Sequence, residues 1–104
     1  MKNILMVVAV FLSGQSLANA ALPPELVGVY RCAVPAGEKV INLRNQGGVP
    51  YVDIDFANQD SMEGAAGILR SKARATTTVV FENQILTFAA DGSVDSNGFA
   101  CTKD

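Results

Sequence analysis

Two cysteines, Cys32 and Cys101, stand near opposite ends of the segment expected to fold, and a bond between them would tie both ends of that segment together. Whether they pair depends on the compartment. The chain opens with Lys2, an unbroken apolar run from Ile4 to Leu12, and Ala18-Asn19-Ala20. These are the positive, apolar and small-x-small parts of a secretory signal over residues 1–20. The apolar run is about half of the roughly 20 residues that a membrane-spanning helix needs. Cleavage is therefore expected to release residues 21–104 as a single β domain without a membrane span, periplasmic or secreted. No cysteine stands at the cleavage point to carry a lipid. Disulfides persist in exported proteins, and a redox-active pair would sit closer in sequence, as in C-x-x-C. Cys32 and Cys101 are expected to form a structural disulfide. Closing a loop of about 70 residues stabilises a fold by roughly 4 kcal/mol in the chain-entropy model.

The domain needs such a staple, since a chain of this size buries only a modest fraction of its surface. Charge narrows the partners. Without Lys2, the eight basic residues of the chain become seven against ten acidic ones, a net charge of −3. Nucleic-acid binding rewards clustered positive charge, so mild acidity argues against it.

No internal repeat, low-complexity tract or linker interrupts residues 21–104. Leu22-Pro23-Pro24 is a stiff lead-in. Leu26–Val34 is rich in β-branched and aromatic residues and stops at Pro35-Ala36-Gly37, as a strand would, with Leu26, Gly28, Tyr30, Cys32 and Val34 as its expected inward set. Lys39–Arg44 is a second short strand, and Gly47-Gly48 permits a tight hairpin turn. The period-2 pattern of Tyr51–Phe56 sends Val52, Ile54 and Phe56 one way and Tyr51, Asp53 and Asp55 the other. Asn58–Gly64 reads as a polar loop. Residues 65–73 fit either a helix turn or a strand, with Gly64 and Gly67 counting against the helix. Ala75–Glu82 is strand-forming, Ile85–Ala89 completes a hairpin with it, Asp91-Gly92 turns, and Phe99–Thr102 returns the second cysteine to the sheet. The expected fold is all-β: a small antiparallel barrel or sandwich of six to seven short strands, closed by one disulfide across the first and last strands.

Chemistry is sparsely provided. The chain has no histidine, and a disulfide would consume both cysteines, which removes most nucleophile–base pairs and the commonest metal ligand. Asp53 and Asp55 lie two apart on one strand face, a spacing that suits acid–base work or a hard cation, and equally the solvated face of an amphipathic strand. Asp91, Ser93, Asp95 and Asn97 place oxygens at alternate positions like the first half of a calcium loop. Ser96 stands where that loop needs glycine and Thr102 where it needs a bidentate Glu, so turn chemistry accounts for them better. No metal or cofactor is called for. Arg70, Lys72 and Arg74 alternate along one segment. If that segment is a strand they form a basic stripe, able to meet an anionic partner or to guard an edge strand.

Tyr30-Arg31-Cys32 and Phe99-Ala100-Cys101-Thr102-Lys103, around an all-β middle, make the chain resemble the bacterial periplasmic inhibitors of C-type lysozyme, small β-barrels that plug the enzyme's cleft. That family carries a Ser-Gly pair followed by Tyr and a Tyr preceding Thr-Lys-Gly; here Ser61-Met62-Glu63-Gly64 and Thr102-Lys103-Asp104 stand instead, so no inhibitory residue is carried over. The exported, acidic, stapled and histidine-free character favours a non-enzymatic module that binds another protein; the resemblance implies one version of it, an inhibitor of a secreted hydrolase such as lysozyme, and an acidic face would draw such a basic enzyme. Asp53, Asp55, Arg70, Lys72 and Arg74 are the candidate contacts. The alternative is a small-molecule or lipid carrier, which needs an interior cavity of at least about 300 Å³. A hydrolase built on Asp53 and Asp55 would need those carboxylates to line a cleft.

Overall fold

The structure, a computed structural model, describes residues 21–104. The expected signal segment, residues 1–20, lies outside the described residues. Nine strands follow a short 3-10 turn at Pro24–Leu26: β1 Gly28–Val34, β2 Gly37–Gln46, β3 Val49–Phe56, β4 Met62–Ala65, β5 Gly67–Ser71, β6 Thr76–Phe81, β7 Gln84–Phe88, β8 Val94–Ser96 and β9 Phe99–Lys103. Every pairing is antiparallel.

The strand order β4-β3-β2-β1-β9-β8-β7-β6-β5 puts β4 and β5 at the two ends of the sheet. Only Ala66 separates them in sequence. The sheet therefore curls round on itself into a nearly closed barrel, in which residues 62–71 pair first with β3 and then with β6. Ala66 marks the hand-over, its N–H donating to the Pro50 carbonyl at 2.9 Å. Between β4 and β6 the backbones do not pair, and the Phe81 ring lies on Gly64 there. A Cβ at position 64 would fall 2.6 Å from Phe81 Cε1, so the missing side chain lets the ring fill the gap.

On the opposite side, β1 and β9 meet in register with Cys32 opposite Cys101, and the two are disulfide-bonded with their Cα atoms 4.1 Å apart. The first and last strands are thus locked at the seam, as the cysteine positions imply. Near-closure leaves only the short β4 and β5 as edges, which limits the unpaired backbone that invites aggregation.

Inside, the period-2 rule holds strand by strand. Tyr30 and Cys32, Ile41 and Leu43, Val52 and Ile54, Val79, Leu86 and Phe88 are buried. Tyr30 and Phe88 meet edge to face, 5.4 Å between centroids. Two polar residues share this interior, Lys39 and Ser96, and the Ser96 hydroxyl has no hydrogen-bond partner among the described residues. The barrel end that carries the β2–β3, β5–β6 and β7–β8 turns is closed by Leu22, whose N–H and carbonyl are both held by the Asn45 amide, at 2.8 and 3.1 Å. The β1–β2, β3–β4, β6–β7 and β8–β9 connections ring the other end, here the upper mouth.

Two sequence expectations are corrected, on strand number and on the basic stripe, and the open alternative at residues 65–73 is decided. Among the described residues there are nine strands rather than six or seven, because β4 takes up the end of the expected polar loop 58–64 and β8 lies within the expected oxygen-rich loop 91–98. Residues 65–73 are strand at Gly67–Ser71. The basic stripe does not form: Arg70 is on β5, but the strand ends at Ser71, and Lys72 and Arg74 belong to the turn before β6, where Ala75 takes a positive φ of 54°.

Candidate functional site

The outer wall of β2, β3 and β4 carries an ordered polar network. Cross-strand register sets Arg44 opposite Tyr51, Asn42 opposite Asp53, and Asp53 opposite Glu63. Arg44 Nη1 donates to Asp53 Oδ2, and Nη2 donates to Gln46 Oε1 at 3.2 Å. The guanidinium lies 4.8 Å from the Tyr51 ring centroid, and the Tyr51 hydroxyl donates to Glu63 Oε2 at 3.0 Å. The hydrogen bond from Arg44 is the main cause holding the Asp53 carboxyl below the usual aspartate value, while the bond to Glu63 pushes the Tyr51 hydroxyl above the usual tyrosine value. Asp55, two residues on and on the same face, is exposed and opposite Val40.

Asp53 and Asp55 thus share the outer wall of the barrel, as their spacing implies, and neither belongs to any of the hollows described below. Arg70 stands at the far end of β5, and Lys72 and Arg74 stand in the turn beyond it; all three are exposed. The candidate contacts therefore fall into two groups, one on the wall of β3 and one at the β5–β6 turn.

The oxygen-rich segment is divided between the two ends of β8. Asp91 accepts from the Ser93 N–H at 2.9 Å and from its hydroxyl at 2.7 Å, which caps the β7–β8 turn and lowers the Asp91 pKa. Asn97, at φ 51°, accepts from the Ile85 N–H at 2.7 Å and donates to the Asn83 carbonyl at 3.1 Å. Asp95 is paired within β8. No group of three or more Cys, Asp or Glu side chains placed to hold a metal occurs among the described residues.

No known family model, curated protein or solved structure matches this chain. Its own geometry carries the functional reading.

The barrel interior holds a cavity of about 10 Å³, lined by Ile41, Val52, Ile54, Leu86 and Ser96 among others, about the size of one water molecule. Larger hollows lie on the surface. One of about 550 Å³ runs between β9 and the β7–β8 turn, past Phe88, Ser93, Thr102 and Lys103. A second, of about 340 Å³, lies over Arg31, Ala33 and Thr102. A third, of about 280 Å³, opens at the upper mouth between Val34, Pro35, Phe56 and Phe99, with Lys39 in its wall.

Lys39 is a functional candidate that the sequence reading passes over. It begins the inward set Lys39, Ile41, Leu43, and only 4% of it is exposed. Its ammonium donates to Gln84 Oε1 at 2.9 Å and sits 5.9 Å from the ring centroid of Phe56, its cross-strand partner. Burial lowers its pKa below the usual lysine value. Placing Ile41 and Leu43 in the core would have placed Lys39 there by the same alternation.

Proposed function

We propose that this protein is an exported, non-enzymatic module that binds another protein, as an inhibitor of a secreted hydrolase of the lysozyme kind. One observation carries the reading: the wall of β2–β4 presents Tyr51, Asp53, Asp55 and Glu63 on a rigid sheet, with Arg44 fixing Tyr51 and Asp53 in place. Rigid aromatic and charged groups held in place before contact lower the ordering cost of binding. A wall bearing three carboxylates is complementary to a basic enzyme and raises its association rate. The outward, partly ion-paired setting of Asp53 and Asp55 suits contact better than acid–base catalysis, which wants such groups within a cleft.

The disulfide is compatible with an oxidising, exported location. No helix of the described residues is long and apolar enough to cross a membrane. The carrier alternative draws less support, because the barrel interior is filled by Tyr30, Phe88 and the aliphatic core.

The test is capture by the immobilised, oxidised protein from a panel of purified secreted hydrolases that includes a C-type lysozyme. Stoichiometric retention of a basic hydrolase, weakened at least about tenfold by Asp53→Lys with Asp55→Lys and left unchanged by Arg70→Glu with Arg74→Glu, is the expected result. Retention that ignores the first pair and collapses with the second would move the binding face to the β5–β6 turn. Retention of none of the panel would overturn the proposal.

A further inference from the structure

The upper-mouth groove contains an uncompensated charge that the proposed binding wall does not use. Among the described residues the ion pairs are Arg31–Glu38, Arg31–Asp104 and Arg44–Asp53; Lys39 takes part in none. An ammonium has three N–H donors, and Gln84 Oε1 is the hydrogen-bond partner found for one of them. Burying a cation costs several kcal/mol unless an anion and further hydrogen bonds offset it. A neutral amide and the face of Phe56 offset only part of that cost.

The surroundings say what would complete the site. Val34, Pro35, Phe56 and Phe99 wall a groove of about 280 Å³, with Asn58 and Asn97 at its polar margin. Phe99, 40% exposed, is an apolar side chain left open to solvent at its rim. Apolar walls around one recessed polar group are the usual make-up of a small-ligand pocket, and the volume lies just below the range of about 300–1,000 Å³ for such pockets. The larger groove by β9 has no such feature: its cation, Lys103, is exposed and donates to the Glu25 carbonyl at 2.7 Å.

We propose that the upper-mouth groove binds a small organic monocarboxylate with an apolar body, a short acyl chain or a single aromatic ring, its carboxylate pairing with the Lys39 ammonium and its body lying between Phe56 and Phe99. The recess favours a slender free ligand over a protein surface, since Lys39 is nearly covered. The site is separate from the wall of β2–β4, so failure of either proposal leaves the other standing.

Nuclear magnetic resonance titration of the oxidised, isotope-labelled protein tests this, with octanoate and benzoate as probes and octanamide as the uncharged control. Saturable shifts centred on Val34, Lys39, Phe56 and Phe99, with a millimolar or tighter dissociation constant for at least one carboxylate, are expected. Octanamide should bind at least about tenfold more weakly, a difference of about 1.4 kcal/mol. Lys39→Met should weaken carboxylate binding by at least about the same factor while keeping a folded spectrum, because it removes a buried charge and keeps the apolar stem. Shifts that fail to saturate, octanamide binding as well as octanoate, or unchanged affinity in Lys39→Met would each overturn the proposal. So would saturation by an acidic peptide under conditions where neither small carboxylate binds, since the groove would then serve a protein.

Discussion

Two interior residues depart from the apolar rule, and they predict opposite things. Ser96 is buried beside the 10 Å³ cavity with no hydrogen-bond partner for its hydroxyl among the described residues, and a buried unsatisfied group costs about 1–3 kcal/mol. Ser96→Ala should therefore raise the unfolding free energy by about 1 kcal/mol, or roughly 4–8 °C in Tm, by calorimetry; a drop of similar size would mean that the hydroxyl is satisfied after all. Lys39 is retained at a cost to the fold. Its folded pKa is depressed, so the folded state holds this proton less tightly than the unfolded chain does. The penalty is present in full below the folded pKa and fades as pH rises through the ordinary lysine range. Lys39→Met should melt at or above the wild-type temperature near neutral pH, with the advantage shrinking as pH rises toward the usual lysine value. Asp53 has the reverse sign: the Arg44 hydrogen bond lowers its pKa, so its contribution is present above the ordinary aspartate range and lost as pH falls through the folded value. The pair is half-exposed, and Asp53→Asn should cost no more than about 1 kcal/mol in urea unfolding at neutral pH.

At the scale of elements, the barrel depends on two closures made in different ways. The seam of β1 and β9 is covalent, and Cys32→Ala with Cys101→Ala should lower stability by roughly 4 kcal/mol in urea unfolding. The side between β4 and β6 closes by packing, with the Phe81 ring against the bare backbone of Gly64. Gly64→Val should force that ring aside and cost about 1–3 kcal/mol; no loss would mean that the ring moves freely. These two sides also separate what was legible in the sequence from what was not. Val52-Asp53-Ile54 announces β3 by alternation, and the end-to-end cysteines announce the seam. β4 has no comparable signal, because Met62-Glu63-Gly64-Ala65 is poor in strand-forming residues and becomes a strand through its register with β3. β8 is hidden differently. Asn97 and Gly98, at φ 51° and 90°, form a two-residue hairpin turn whose sequence signal is strong, but it stands among Asp91, Ser93 and Asp95, which imitate a metal loop while serving turns and a strand. The stripe expected of Arg70, Lys72 and Arg74 fails because alternation has meaning only while the strand lasts, and β5 ends at Ser71.

At the scale of the whole molecule, a filled barrel leaves its walls and mouths as the surfaces open to a partner or ligand. The sequence shows Tyr51, Asp53 and Asp55 on a common face, but not that Arg44 and Glu63 join them, because those two neighbours come from strand pairing across loops. Near-closure of the sheet leaves only the short edges of β4 and β5 unpaired, with the Phe81 ring covering the gap at Gly64, so little edge remains to add a partner strand, and side-chain recognition on the wall is the proposed mode. Such recognition is electrostatic in part, and its affinity should fall with added salt. The most direct check is a calorimetric titration of a C-type lysozyme with the oxidised protein, at low and at physiological ionic strength. Saturable one-to-one binding that weakens with salt, and that Asp53→Lys with Asp55→Lys abolishes while the fold is kept, is the expected result; no binding at either ionic strength, or binding indifferent to both salt and the charge reversal, would rule out the wall as a lysozyme-binding face.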